Sequence, residues 1–264
     1  MQSLYNAIGS TYCATRRADP SLAKTLARLV ETQDGRCYLD LACGTGNYTN
    51  ALASVSGTWY GCDISDVMLT QARAKNSKIE WKLSKADALP YQSAFFDGAM
   101  CTLAIHHFPE LLQPFQEVHR VLNQGTFVLF TAFPEQMRDY WLCHYFPEMM
   151  RSSVTQMPAR EQLTAALVSA GFEIENAIPF YVTNELQDLF LYSGKARPIL
   201  YLDPLVRANI SSFASRCSPA ELNAGLQQLR SDIESGDFSS VASSYQSVGG
   251  DYAFVVARKR WTIA

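Results

Sequence analysis

Short β-rich runs alternate with helical segments between residues 38 and about 131, and this alternation limits the possible folds of the chain more than any other pattern in it. Strands are predicted at 38–42, 58–63, 79–84, 98–104 and 125–133, and helices at 47–54, 65–75 and 110–122. Ser65 is a plausible N-cap of the second of these helices. This alternation is typical of βαβ units, which place their strands side by side in a parallel sheet.

The pattern changes after the fifth strand. An amphipathic helix is predicted at 160–171, followed by strands at 172–182 and 251–259. Between these two strands lie residues 183–250, which are mainly helical in character and include "NELQDLFLYSG". A segment of this length is too long for a hairpin loop, so we predict a helical insertion. Residues 1–182 and 251–264 are then expected to form one domain, and the insertion to cover its substrate site.

The stretch "YLDLACGTGNYTN" (38–50) runs from a strand through a glycine turn into a helix. Such a turn presents backbone N–H groups and a helix N-terminus to a ligand. A phosphate-binding P-loop would need a lysine that does not follow Gly44 or Gly46. A dinucleotide-binding fingerprint would need a third glycine where this chain has Thr49. The second absence weakens a nucleotide-dependent dehydrogenase but leaves it open.

Acidic residues stand at the ends of the first three predicted strands. Asp40 precedes Gly44 by four residues and can attract a cationic ligand. Asp63 follows the turn by about 20 residues, where a carboxylate binds ribose hydroxyls or caps the next helix. Asp87 can accept from the amine of adenine while the backbone of Ala88 meets the ring. Because the carboxyl ends of parallel strands share one edge of a sheet, we expect these groups to form one site.

These motifs resemble those of the class I S-adenosylmethionine-dependent methyltransferases. The similarity is closest to the bacterial small-molecule branch (methyltransferase type 11), which includes enzymes of the ubiquinone/menaquinone, biotin and antibiotic pathways. It rests on "YLDLACGTGNYT", "GCDISDVMLTQAR", "KADALPYQSAFFDGAM", "LAIHHFPE" and "EVHRVLNQGTFVLF". The resemblance implies an α/β fold, a Rossmann-like seven-stranded, mostly parallel sheet with flanking helices and a helical insertion or cap. It also implies S-adenosyl-L-methionine as the cofactor.

The resemblance also implies roles for individual positions. The leading "LYNAIGSTYCATR" is similar to an N-terminal helix, here within residues 1–20, that closes over the cofactor. Contacts with the methionine portion of the cofactor are implied for Tyr5, Tyr12, Arg16, Asp40, Ala42, Gly44 and Gly46. Contacts with its adenosine are implied for Asp63, Ile64, Met68, Asp87 and Ala88, and the backbone of Leu103 is expected near the sulfonium. Ala42 stands where the family has its first glycine.

Catalytic and acceptor-binding residues are less constrained. His106 and His107 follow the fourth strand and are candidate general bases, or they pack beside the cofactor without moving protons. The residues predicted to bind an apolar or aromatic methyl acceptor are Tyr140, Trp141, His144 and Tyr145. The aromatic residues in that segment could instead pack the helical cap onto the sheet. The chain is thus expected to methylate O, N or C of a small metabolite, in a secondary-metabolite pathway such as antibiotic biosynthesis. A protein that binds the cofactor without transferring methyl groups remains an alternative.

Composition argues against several other partners. The net charge of −3 gives no reason to expect nucleic acid. The place after the fourth strand lacks the Asn/Asp-Pro-Pro-Tyr motif of enzymes that methylate the exocyclic amines of nucleic acids. No apolar stretch approaches the roughly 20 residues that cross a bilayer, so no membrane association is expected. The seven cysteines are scattered without a Cys-x-x-Cys pair, which favours free thiols in a cytoplasmic protein and no metal site.

Overall fold

The computed structural model describes residues 15–259, so the predicted cofactor contacts Tyr5 and Tyr12 lie outside the described residues. Its centre is one seven-stranded sheet. The strands are β1 (Cys37–Leu41), β2 (Thr58–Asp63), β3 (Glu80–Leu83), β4 (Gly98–Thr102), β5 (Thr126–Thr131), β6 (Phe172–Phe180) and β7 (Tyr252–Lys259).

The strand order across the sheet is β3-β2-β1-β4-β5-β7-β6. The five strands from β3 to β5 are parallel, whereas β7 runs antiparallel to both of its neighbours. The chain reverses its direction of travel across the sheet between β1 and β4, which is where ligands bind in open α/β sheets. The predicted mostly parallel seven-stranded sheet is therefore confirmed.

Helices cover both faces of the sheet. Those before β6 are α1 (Pro20–Val30), α2 (Asn47–Ala53), α3 (Asp66–Lys75), α4 (Leu112–Val121), α5 (Pro134–Arg138), α6 (Leu142–Tyr145), α7 (Pro147–Gln156) and α8 (Arg160–Ser169). Those between β6 and β7 are α9 (Pro204–Ala208), α10 (Ser211–Arg216), α11 (Pro219–Ser235) and α12 (Phe238–Ser243). Short 3-10 turns span Ile105–His107 and Pro198–Leu202.

Local sequence explains where several elements begin. Ser65 caps α3 as predicted, because its hydroxyl accepts from the backbone N–H of Met68. Asp19 caps α1 in the same way, with its Oδ1 2.9 Å from the backbone N of Leu22. All six residues of β5 are buried, as expected for a strand covered on both faces.

Aromatic residues between β5 and α7 pack between the sheet and the helices that precede β7. Tyr140 stacks on Tyr192 with ring centroids 3.9 Å apart. The Trp141 ring meets Tyr201 and Phe238 edge-on, at centroid distances of 5.4 and 5.0 Å. These rings form one apolar layer between the sheet and the helices that cover it.

The segment 184–194, "NELQDLFLYSG", differs from its predicted helical character and forms turns instead. Some of its backbone N–H groups make local turn hydrogen bonds, and others donate to partners distant in the sequence. Gln187 N donates to Asp19 Oδ2 at 3.0 Å, and Tyr192 N donates to the Tyr252 hydroxyl at 3.2 Å. Tertiary hydrogen bonds therefore replace the helical ones.

Candidate functional site

A cavity of about 470 Å³ lies along the carboxyl ends of β3, β2, β1 and β4. Its volume is within the range of small-molecule sites. The predicted site residues that line it are Arg16, Asp40, Ala42, Gly44, Asp63, Ile64, Met68, Asp87, Leu103 and His107. Gly46, Ala88 and His106 are not among its lining residues.

The glycine turn after β1 has three residues with left-handed backbone: Ala42 (φ 56°), Gly44 (φ 55°) and Gly46 (φ 69°). A side chain on Gly44 would meet no atom of residues 15–259 within 4 Å, so among these residues its backbone is open for approach by a ligand. A side chain on Gly46 would collide with the Trp81 ring. Gly46 therefore allows the turn to pack on the tryptophan, while Gly44 borders the cavity.

Asp63, at the end of β2, holds the turn in place. Its Oδ2 accepts from the backbone N of Gly44 at 2.8 Å, and its Oδ1 accepts from the backbone N of Ser65 at 2.8 Å. Burial raises the pKa of Asp63, and the backbone hydrogen bonds from Ser65 and Gly44 oppose that rise. Because Ser65 caps α3, the Asp63 carboxylate is left at the cavity wall.

Asp40 is the most deeply buried acid of the cavity, with 1% of its surface exposed. Its Oδ2 accepts from the Thr49 hydroxyl at 2.6 Å, while Oδ1 has no hydrogen-bond partner among residues 15–259. Burial, reinforced by the charge of Asp63 and opposed by the Thr49 hydrogen bond, raises the pKa of Asp40 to about 7. A buried carboxylate oxygen without a donor favours a cationic ligand group.

An ion pair closes another part of the cavity. The Arg16 Nε lies 2.5 Å from Asp188 Oδ1, and its Nη2 lies 3.2 Å from Oδ2. The Tyr48 hydroxyl donates to the same Oδ2 at 3.1 Å. Asp188 and Tyr48 both line the cavity and were missed from the sequence. Asp188 offers only a weak signal, a single carboxylate inside the apolar run "LQDLF".

At the opposite end, the cavity is bordered by residues that follow β2 and β3. Ile64 is 46% exposed and Met68 is buried. Asp87 is exposed at the cavity rim, and its neighbour Ala88 is exposed outside the lining. Apolar side chains and one rim carboxylate suit a flat heteroaromatic ring.

The loop after β4 separates two cavities. Leu103, with φ 52°, and His107 line the first cavity. His106 lines a second cavity of about 430 Å³, and its Nδ1 has no partner in the described part of the chain. The His107 Nδ1 lies 3.4 Å from Gln156 Nε2. Burial and the nearby Arg216 lower the pKa of His107 to about 4, so its ring is neutral at pH 7.

The predicted acceptor-binding residues lie elsewhere. Tyr140, Trp141 and Tyr145 are buried in the aromatic layer that joins sheet and helices. His144 is exposed, with its Nε2 3.0 Å from Gln228 Nε2. None of the four lines the cavity that holds the acidic residues.

The described part of the chain contains neither a candidate metal site nor a helix that could span a membrane. Within residues 15–259, no three His, Cys, Asp or Glu side chains are grouped so that they could hold a metal ion. None of the helices in that same range has the length and apolarity needed to cross a bilayer.

The chain is similar to proteins described as methyltransferases, both in sequence and in structure. A family profile described as "Methyltransferase domain" matches residues 39–130. A solved structure from Anabaena variabilis, described as a methyltransferase from an antibiotic biosynthesis pathway, is 32% identical with a TM-score of 0.82. That similarity covers 92% of this chain and 98% of the other.

Two demethylmenaquinone methyltransferases are also similar to the chain. The protein from Chlorobaculum parvum is 28% identical over 178 residues, which are 60% of this chain and 74% of the relative. The protein from Lactococcus lactis is 32% identical over 139 residues, which are 47% of this chain and 55% of the relative. The matched residues of the family profile include the whole glycine turn and the strands β2 to β4.

Proposed function

The chain belongs to the class I S-adenosylmethionine-dependent methyltransferases, and we propose that its acceptor is a small, apolar or aromatic metabolite. The methyl group goes to an O, N or C atom of that metabolite. The similarity to an antibiotic-pathway methyltransferase over nearly the whole chain supports a role in secondary metabolism.

Asp40 Oδ1 has no hydrogen-bond partner in the described part of the chain, and this observation carries the cofactor assignment. S-adenosylmethionine has a cationic amino group and a cationic sulfonium, a ribose diol, and a carboxylate. The cavity offers the buried Asp40 carboxylate for a cation, the Asp63 carboxylate for the diol, and the Arg16 guanidinium for the carboxylate. The residues present therefore fit the cofactor.

The adenosine would lie at the ends of β2 and β3. Asp63 is held by two backbone N–H groups and is thus fixed before a ribose arrives. Ile64 and Met68 would flank the adenine, and Asp87 would accept from its exocyclic amine. We extend the site to Ala88 through its backbone, next to that carboxylate.

The methionine portion would follow the turn after β1, with the sulfonium beside Leu103. The bound cofactor supplies an electrophilic methyl group on sulfur. Transfer is an in-line displacement, for which the protein chiefly has to orient donor and acceptor at close range. The side chains of Phe108, Pro109 and Pro114 line the same cavity and would exclude water around an apolar acceptor.

His107 is the candidate general base of this proposal. It lines the cofactor cavity and is neutral at pH 7. Because its pKa of about 4 makes it a weak base, it would take the proton of an acceptor O–H or N–H as methylation makes that proton more acidic. His106 lies on the other side of the 3-10 turn, against the second cavity. We therefore propose that His106 supports the position of His107, whose ring centroid is 4.0 Å away, without meeting the acceptor.

Calorimetric titration with S-adenosylhomocysteine, the demethylated cofactor, tests the proposal. We expect one molecule to bind per chain and NADH not to bind. Asp63→Ala should weaken binding at least tenfold, because a charge-assisted hydrogen bond contributes about 1.5–3 kcal/mol. Asp66→Ala, an exposed acid three residues later, is the matched control and should bind as the wild type does. Equal binding by the Asp63 variant, or hydride transfer with NAD, would contradict the assignment.

A further inference from the structure

We propose that Asp188 is a positioning residue of the cofactor site, because it holds the Arg16 guanidinium in the orientation that receives the carboxylate of the cofactor. The proposal rests on the function proposed above. It makes a residue of the segment between β6 and β7 part of a site otherwise built from the chain's N-terminal part and the edge of the sheet.

The ion pair makes two contacts and is largely buried. Two nitrogens of Arg16 meet the two oxygens of Asp188, at 2.5 and 3.2 Å. The side chains of Arg16 and Asp188 are only 13% and 2% exposed. A two-point contact between guanidinium and carboxylate fixes the plane of the arginine, which a single contact does not.

A hydrogen bond from α2, the helix that follows the glycine turn, holds the Asp188 carboxylate in place. The Tyr48 hydroxyl, on α2, donates to Asp188 Oδ2 at 3.1 Å and accepts from the backbone N of Asp19 at 3.4 Å. Burial and the charge of Asp188 raise the pKa of Tyr48 well above its usual value, so the hydroxyl remains a donor. The orientation of Asp188 is thereby tied to the turn that lines the cavity.

The backbone on both sides of Asp188 is bonded to the chain around Arg16. Gln187 N donates to Asp19 Oδ2 at 3.0 Å, and Leu189 N donates to the carbonyl of Thr15 at 3.3 Å. The carbonyl of Arg16 accepts from the Asn47 amide at 2.9 Å. These bonds bring Asp188 and Arg16 to the cavity together.

Charge decides what this pair can bind. A guanidinium has five N–H donors, more than one carboxylate uses, so a second carboxylate can share it. Asp188 alone would repel the carboxylate of the cofactor, whereas Arg16 attracts it. Holding a long, flexible arginine in place before the ligand arrives removes an ordering cost from binding.

A binding comparison tests this role without a methyl acceptor. Affinities for S-adenosylhomocysteine and for methylthioadenosine, which lacks the amino-acid portion, are measured by calorimetry. We expect Asp188→Asn to weaken the binding of S-adenosylhomocysteine about tenfold, because a misoriented Arg16 would lose one charge-assisted contact with the ligand carboxylate. Methylthioadenosine should bind within about twofold of the wild type. Glu185→Gln, an exposed acid in the same segment, is the control and should change neither affinity.

A second pair of variants separates positioning from direct contact. In an Arg16→Met background, Asp188→Asn should cause no further loss, because its effect acts through the arginine. A loss that persists there would overturn the proposal in favour of direct contact with the ligand. Equal weakening of both ligands, or unchanged affinity for S-adenosylhomocysteine, would also overturn it.

Arg16→Lys keeps the proposal testable if Asp188→Asn does not fold. A lysine retains the charge but cannot contact both Asp188 oxygens as a guanidinium does. The affinity for S-adenosylhomocysteine should therefore fall more than the affinity for methylthioadenosine. An unchanged ratio of the two affinities would contradict the positioning role. Failure of the wild-type protein to bind either ligand would instead overturn the proposed function itself.

Discussion

Two residues of the candidate site, Ala42 and Leu103, have a left-handed backbone conformation, which favours glycine. Both line the cavity, at the ends of the adjacent strands β1 and β4. A non-glycine residue in this conformation costs on the order of 1–3 kcal/mol. Such strain persists where the surroundings fix the backbone, as at a site that must present its backbone to a ligand.

Ala42→Gly should therefore stabilise the folded protein by about 1 kcal/mol, since relief of strain exceeds the extra chain entropy of glycine. Urea denaturation measures the change in the free energy of unfolding. Ala224→Gly, in the exposed middle of α11, should do the opposite and destabilise by about 1 kcal/mol. Destabilisation by both substitutions would show that the Ala42 backbone is not strained.

Asp40 should release a proton when the cofactor binds. Its pKa is raised to about 7 in the free protein, and a cationic amino group beside it would lower that pKa. At pH 7 up to about half a proton per chain should leave on binding S-adenosylhomocysteine. Calorimetry in two buffers of different ionisation enthalpy measures this release, and Asp40→Asn should abolish it. Proton uptake, or no exchange between pH 6 and 8, would contradict the assigned role of Asp40.

His107 should lower stability in mildly acidic solution. Its folded pKa of about 4 lies below the ordinary value near 6.5. Between these values the unfolded chain binds a proton at this ring that the folded chain does not, so the free energy of unfolding falls as pH decreases from 6.5 toward 4. His107→Gln should therefore lose less stability than the wild type between pH 7 and 5. A His107 pKa near 6.5 in an NMR titration would contradict this account.

At the scale of elements, one buried acid links the chain on either side of the turn segment 184–194 to the start of β7. Asp251 is fully buried and precedes β7. Its two oxygens accept from Lys195 Nζ at 2.8 and 3.0 Å, and Oδ2 also accepts from Val182 N at 2.8 Å. The residues that leave β6 and enter β7 are thus joined through one carboxylate.

Lys195→Met should destabilise the protein by about 2 kcal/mol, because it leaves the buried Asp251 carboxylate without its cation. The figure lies below the range of about 3–5 kcal/mol for fully buried pairs, since Lys195 is 31% exposed. Arg151→Met removes the cation of an exposed pair with Glu148 and should cost less than about 1 kcal/mol. Equal effects of the two variants on the urea midpoint would contradict the fastening role.

Local patterns predicted most elements because local chemistry determines them. The strands and the helix capped by Ser65 follow from short apolar and aromatic runs, turn residues and a capping side chain. Segment 184–194 could not be predicted, because its donors bond to Thr15, Asp19 and Tyr252. Such partners are distant in sequence and leave no periodic pattern.

The candidate site divides in the same way. Asp40, Asp63 and Asp87 stand at strand ends, so the sheet alone brings them to one cavity. Asp188 comes from a segment whose path depends on tertiary bonds, and the sequence did not indicate it. Tyr140 and Trp141 were predicted to bind the acceptor because they are aromatic, whereas packing against Tyr192 and Tyr201 accounts for their burial.

At the scale of the whole molecule, the sheet order makes the cavity. It sets the ends of β3, β2, β1 and β4 side by side, while β5, β7 and β6 lie beyond. Arg16 reaches this edge from before α1, and Asp188 reaches it from after β6. A ligand in the cavity would touch three parts of the chain that are remote in sequence.

A crystal structure of the complex with S-adenosylhomocysteine would show whether the cofactor occupies this cavity and in which direction it lies. We predict the ribose hydroxyls on Asp63, the amino group within hydrogen-bond distance of Asp40 Oδ1, and the sulfur beside Leu103, facing His107. A ligand bound outside this cavity, or one bound in the reverse direction with its adenine at Asp40, would contradict the account.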